Sequence, residues 1–250
     1  LNTLAPGNSF LTISSTFCVP VPNVEEMVKN ILREYSKNRD GIRFLTIYDG
    51  LDVDIILKAK EDNEKLEEYS RKILKSLSKF IYAEEDISIF KALFRLLLIT
   101  QKKVSIAESI TGGNVAANLI KYNSGASKVV EQSFITYSNQ AKMELLGVNP
   151  QTLSLKGAVS VETAYEMATG LLKRTNSDLV IATTGYASEG ENNFAGECYI
   201  AVGDKEAVHV YKNIFDGTRE NIIESTTKAA FFYAIKKLRS KDFNLSENNV

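Results

Sequence analysis

Six consecutive residues, Glu108-Ser109-Ile110-Thr111-Gly112-Gly113, have the composition of a turn that does chemistry. They follow a short apolar run, Val104 to Ala107, and precede a helical pattern carrying Val115, Ala116, Leu119 and Ile120. A hydroxyl at a strand-to-helix turn is presented at a rigid sheet edge, where side chains and helix N–H groups meet a ligand. The two glycines let the backbone approach that ligand closely. The N–H groups at the start of the following helix are expected to be open to a carbonyl oxygen becoming an oxyanion, or to a phosphate. Ser109 is then a candidate nucleophile, and Thr111, Gly112 and Gly113 are candidate substrate-binding residues. A Ser or Thr before a helix is also the ordinary N-cap, so this turn does not decide by itself.

The elements around the turn suggest how it is held. From residue 85 onward strands alternate with helices: a long apolar helix over Glu84 to Thr100, strands at Val104 to Ala107, Val129 to Tyr137 and Leu179 to Thr184, and helices capped by Ser138 and Ser160. Gly196 to Val202 and Ala207 to Phe215 read as a hairpin through Gly203-Asp204, and a last helix is expected from Thr218 to Leu238. This order implies a three-layer α/β/α sandwich, with a mixed sheet because the hairpin forces an antiparallel pair into it. The amino-terminal part differs. A helix over Val24 to Tyr35, a hairpin turning at Asp49-Gly50 and a helix marked by Leu66, Tyr69, Ile73 and Leu77 read as a small α+β unit. The expected domains are residues 1–84 and 85–240, with 241–250 as a polar tail.

Composition restricts the partners. With 250 residues the chain exceeds one domain of about 100 to 150 residues, which favours two domains. Hydrophobic residues make up 44%, enough for packed cores. Lys plus Arg number 30 against 31 for Asp plus Glu, so nothing chain-wide attracts nucleic acid or anionic lipid. No Gly-x-x-Gly loop supports RNA binding by the small unit. The longest apolar stretch, Ile89 to Ile99, is broken by Lys91 and Arg95 and falls short of the roughly 20 residues of a membrane helix. Two cysteines, Cys18 and Cys198, form neither a disulfide framework nor a Cys-x-x-Cys metal motif, and a reducing cytoplasm is the expected location.

Beyond the turn, four more motifs follow in order: Tyr137-Ser138-Asn139-Gln140-Ala141-Lys142 with Leu145-Leu146-Gly147-Val148, Gly157-Ala158-Val159-Ser160, Thr183-Thr184-Gly185, and Phe215-Asp216-Gly217-Thr218-Arg219. Together with Glu108 to Gly113 they are similar to the signatures of the CinA carboxyl-terminal domain, the PncC-type nicotinamide mononucleotide deamidases, across residues 85 to 240. Residues 10 to 82 more loosely resemble the KH-like domain that precedes it in CinA proteins. The resemblance implies hydrolysis of the carboxamide of nicotinamide mononucleotide to nicotinic acid mononucleotide and ammonia, by a serine-type route with no metal or cofactor. It also implies self-association, and it places Thr184 and Arg219 at the substrate.

An amide is a poor electrophile, so its nucleophile needs a base. A Ser-His-Asp triad has only His209 to use, and that residue sits in a strand pattern, Ala207, His209, Tyr211, that reads as structural. Lys142 is the better candidate, because a lysine desolvated at a pocket wall loses its proton at moderate cost and can serve Ser109 in a Ser-Lys pair. Tyr137, at the strand end before Lys142, has a hydroxyl placed to relay or fix that proton. Arg219 can hold a phosphate by paired, charge-assisted hydrogen bonds. The chain departs from the resembling motifs at Ile110, where they carry Cys, and along the 186–195 loop, where Glu189 and Glu191 add negative charge. A nucleotide-binding or partner-binding descendant with impaired catalysis is therefore the alternative reading.

Overall fold

A computed structural model describes residues 15–18, 29–30, 33, 42–49, 52–58, 64–84, 87–189 and 194–247. The chain divides into two compact units, residues 1–88 and 89–250. In the first, β1 (Ser15–Cys18), β2 (Arg43–Asp49), β3 (Asp52–Lys58) and β4 (Ile81–Ala83) form an antiparallel sheet in the order β2-β3-β1-β4. The period-2 pattern of β3 puts Val53, Ile55 and Leu57 on one face, and α1 (Glu64–Leu77) buries Leu66, Tyr69, Ile73 and Leu77 against them. Each such side chain contributes roughly 1.5–3 kcal/mol. The helix expected over Val24 to Tyr35 lies outside the described residues except at 29, 30 and 33, which are helical. Gly50 of the expected turn also lies outside them.

The second unit carries a five-stranded sheet in the order β6-β5-β7-β8-β9. Here β5 (Val104–Glu108) lies between β6 (Val130–Ile135) and β7 (Leu179–Gly185), parallel to both. The hairpin β8 (Glu197–Gly203) and β9 (Val208–Ile214) extends the sheet antiparallel beside β7. On one face α2 (Ile89–Ile99), α3 (Asn114–Lys121) and α7 (Arg219–Glu247) pack together, with Phe90 and Phe231 in an edge contact at 4.9 Å. On the other, α4 (Asn139–Leu146), α5 (Pro150–Lys156) and α6 (Val161–Arg174) bury Leu146, Leu153, Ala164, Met167 and Leu171 over Ala107, Val180 and Ala182. The result is an α/β/α sandwich with a mixed sheet.

Two local features fix the helix that bears Lys142. Ser138 caps α4 by accepting Ala141 N–H, and Gly147 ends it in the left-handed region. Gly170 then lets α6 close on α4, since a Cβ there would stand 1.8 Å from the Leu146 carbonyl oxygen. One element runs beyond its expected end. No Gly or Pro stops the chain after Arg239, so α7 continues to Glu247, through most of the segment read as a polar tail. Among the described residues no helix is long and apolar enough to cross a membrane.

Candidate active site

At the carboxyl end of β5 the Glu108 side chain is fully buried and turned over the start of α3. Its Oε2 accepts N–H groups from Gly113 at 2.9 Å and Val115 at 3.0 Å, and its Oε1 accepts that of Ala116 at 2.9 Å. The Thr111 hydroxyl donates to the same Oε2 at 2.6 Å and lies 2.7 Å from Thr183 Oγ1. This corrects the expectation that the helix terminus is open to a ligand. A buried helix start needs acceptors and favours negative charge, and the chain supplies its own carboxylate. Thr111, Gly112 and Gly113 consequently stand behind the cavity and shape the turn. Both glycines have positive φ, +58° and +103°, and a Cβ at Gly113 would come within 3.1 Å of Ile135 Cδ1. The sequence signal for Glu108 was an acidic residue directly before a helix-opening turn.

The turn delivers Ser109 to the other side. Its main-chain N–H donates to Thr183 O at 3.0 Å, and Gly112 N–H donates back to Ser109 O at 3.1 Å. Among the described residues, the N–H groups of Ile110 and Thr111 remain without a partner in this turn. Lys142 reaches Ser109 from α4, its Nζ 3.1 Å from Oγ, 2.8 Å from Thr136 O and 3.3 Å from Tyr137 O. The lysine is only 1% exposed, and burial alone lowers its pKa from 10.5 to about 8.

These side chains line one cavity of about 150 Å³ with Ile110, Thr184, Tyr137 and Arg219. Thr184 is buried and donates its hydroxyl to Ala158 O at 2.7 Å, which ties the Gly157-to-Ser160 turn to β7. Arg219, at the start of α7, spans the mouth: Nη1 donates to Ser188 Oγ at 3.1 Å and Nη2 to Tyr137 Oη at 3.4 Å. Tyr137 therefore touches Lys142 through its main-chain carbonyl, while its hydroxyl meets the guanidinium and the residue is 63% exposed. His209 sits exposed on the outer strand β9 and is not part of this cavity. Residues 190–193 of the departing loop lie outside the described residues. A larger groove of about 570 Å³ lies between α4 and α6, lined by Glu144, Glu166, Lys173 and Arg174, with no nucleophile–base pair. Among the described residues no group of three His, Cys, Asp or Glu side chains is placed to hold a metal ion.

Fold and site together define a class: an α/β/α domain with a buried Ser–Lys pair at the carboxyl edge of a mixed sheet. The family model of the CinA C-terminal domain matches residues 86–238, and the chain belongs to the CinA family. It is 35% identical over 227 residues to a CinA-like protein of Endomicrobium trichonymphae, covering 87% of this chain and 53% of that one. A competence-damage inducible protein of Caldicellulosiruptor bescii is 36% identical over 195 residues, covering 75% of this chain and 47% of its own length. The chain thus spans about half the length of these curated relatives. Among solved structures, a CinA-superfamily protein of Klebsiella pneumoniae superposes with a TM-score of 0.58 at 30% identity, over 61% of this chain and 96% of that chain. A competence/damage inducible protein of Agrobacterium tumefaciens gives 0.56 at 31% identity, over 63% and 99%.

Proposed function

We propose that the second unit is an amidase that converts nicotinamide mononucleotide to nicotinic acid mononucleotide and ammonia through an acyl-enzyme on Ser109. The observation that carries this reading is the buried Lys142 amine, 3.1 Å from Ser109 Oγ with its pKa lowered to about 8. A neutral amine has two hydrogens, and two carbonyl oxygens, of Thr136 and Tyr137, stand ready to accept them. The lone pair is then left for the Ser109 hydroxyl proton.

As Ser109 Oγ bonds to the carboxamide carbon, its proton passes to Lys142 Nζ. The carbonyl oxygen becomes an oxyanion, for which the N–H of Ile110, a residue of the cavity wall, is the available donor in the turn. Lys142 returns the proton to the departing nitrogen, the C–N bond breaks, and ammonia leaves an ester on Ser109. Water then attacks the ester, giving its proton to Lys142, and the acid is released as Ser109 recovers it. A cavity of about 150 Å³ suits the carboxamide-bearing ring, being smaller than the 300–1,000 Å³ of sites that enclose whole ligands. The ribose and phosphate would extend toward Arg219, whose fork matches a phosphate.

Ammonia release from nicotinamide mononucleotide by the purified chain, with no added metal, tests the reading. Release that disappears in Ser109→Ala is the expected result. Calorimetric binding of the nucleotide with no release above the Ser109→Ala control, from pH 6 to 10, would replace the amidase with a binding module.

A further inference from the structure

Ile110 follows the nucleophile directly, is 4% exposed and forms part of the cavity wall. Its position is tightly held. A Cβ placed on Gly185 would stand 2.7 Å from Ile110 Cδ1, and 2.6 Å and 2.9 Å from Cys198 Cβ and Cα. The tip of the Ile110 side chain is thus pressed onto bare main chain of β7, with β8 immediately beyond, in register at Gly185 and Cys198. It cannot retreat from a ligand without moving two central strands. Ala158, Val159 and Ala187 line the same cavity with small apolar side chains.

We propose that Ile110 is the specificity-determining residue of this site, a fixed wall against which the carboxamide must be carried on a flat, unsubstituted ring. The proposal rests on the amidase reading for its substrate class but not for its wall. Overfilling a rigid apolar site is penalised on the scale of one methyl group, and discrimination of about 10- to 200-fold per methylene is the ordinary range. Ile110 therefore excludes ring-methylated carboxamide nucleotides that the polar parts of the site would otherwise accept.

The test compares the full chain with Ile110→Val and Ile110→Ala, using nicotinamide mononucleotide and its analogues bearing one methyl group at each free pyridine carbon. Two readouts are taken: kcat/KM for ammonia release, and calorimetric affinity in the Ser109→Ala background. For at least one methyl position, the methylated-to-unsubstituted ratio of kcat/KM should rise about 10-fold or more in Ile110→Ala, with Ile110→Val between it and the parent. Should Ile110→Ala fail to fold, a several-fold rise in Ile110→Val carries the same meaning. Unchanged ratios at every ring position in a folded variant overturn the role of Ile110 while leaving the amidase intact. If no protein releases ammonia, the same shift seen in affinity ratios supports Ile110 and removes only the amidase; absence of nucleotide binding by the parent overturns both.

Discussion

Glu108 and Ala116 are joined across the nucleophile turn, the carboxylate oxygen Oε1 accepting the Ala116 N–H at 2.9 Å. With the bonds from Gly113 and Val115 to Oε2, one buried side chain holds the start of α3 and the turn that presents Ser109. Replacing Glu108 by Ala strands the buried N–H groups of Val115 and Ala116 and the half-buried N–H of Gly113, while the Thr111 hydroxyl keeps Thr183 Oγ1 as a partner. At about 1–3 kcal/mol for each unsatisfied group, partly offset by relaxation, the loss should total about 3 kcal/mol or more. Thermal unfolding should then shift down by roughly 6–12 °C. Glu108→Gln keeps one acceptor oxygen and should fall between the two. An unfolding temperature for Glu108→Ala equal to that of the parent would show that the carboxylate does not organise this turn.

Lys142 makes a second prediction through stability. Its folded pKa is depressed to about 8 by burial, below the 10.5 of an exposed lysine. Between those values the unfolded chain binds a proton that the folded chain does not, so this group's contribution to stability rises with pH across the window. Below pH 8 the buried charge costs its full amount, about 3 kcal/mol for a depression of this size. Lys142→Met removes that dependence. Urea unfolding of parent and variant should therefore show Lys142→Met gaining relative to the parent at pH 7 and losing most of that advantage by pH 10. A stability difference that is the same at both pH values would mean that the lysine is not desolvated.

Much of this was legible in the sequence because it rests on local patterns. The alternation of β3, the caps at Ser138 and Ser160, and the β8–β9 hairpin each depend on residues a few positions apart. Ser109 and Lys142 were identifiable as partners by residue type and motif order, although nothing in their spacing gives a distance. The use of Glu108 was not legible, since a carboxylate before a turn can face solvent, substrate or its own helix, and burial decides which. The Tyr137 hydroxyl was misdirected for a similar reason: a residue's carbonyl and its side chain point to opposite partners, and only the former meets Lys142. The extent of α7 was understated because polar composition alone does not end a helix.

Arg219 spans the mouth of the cavity, and among the described residues its guanidinium hydrogen-bonds to the neutral oxygens of Ser188 and Tyr137. A phosphate there would gain the guanidinium in ground and transition states alike. Arg219→Ala should raise KM for nicotinamide mononucleotide roughly 10-fold or more, with kcat changing less, whereas the dephosphorylated nucleoside should show a smaller effect of the substitution. Equal losses with nucleotide and nucleoside would remove Arg219 from phosphate binding.

The most direct measurement of the Ser–Lys assignment is the pH dependence of ammonia release by the parent and by Lys142→Met. If the neutral amine at 3.1 Å takes the Ser109 proton, parent kcat/KM should rise about tenfold per pH unit below pH 8 and level off above it. Lys142→Met keeps the apolar stem without the amine. It should turn over at least 100-fold more slowly and lose the inflection near pH 8, while nucleotide affinity in calorimetry changes far less. A folded Lys142→Met protein with the parent's rate and the parent's pH profile would contradict the account.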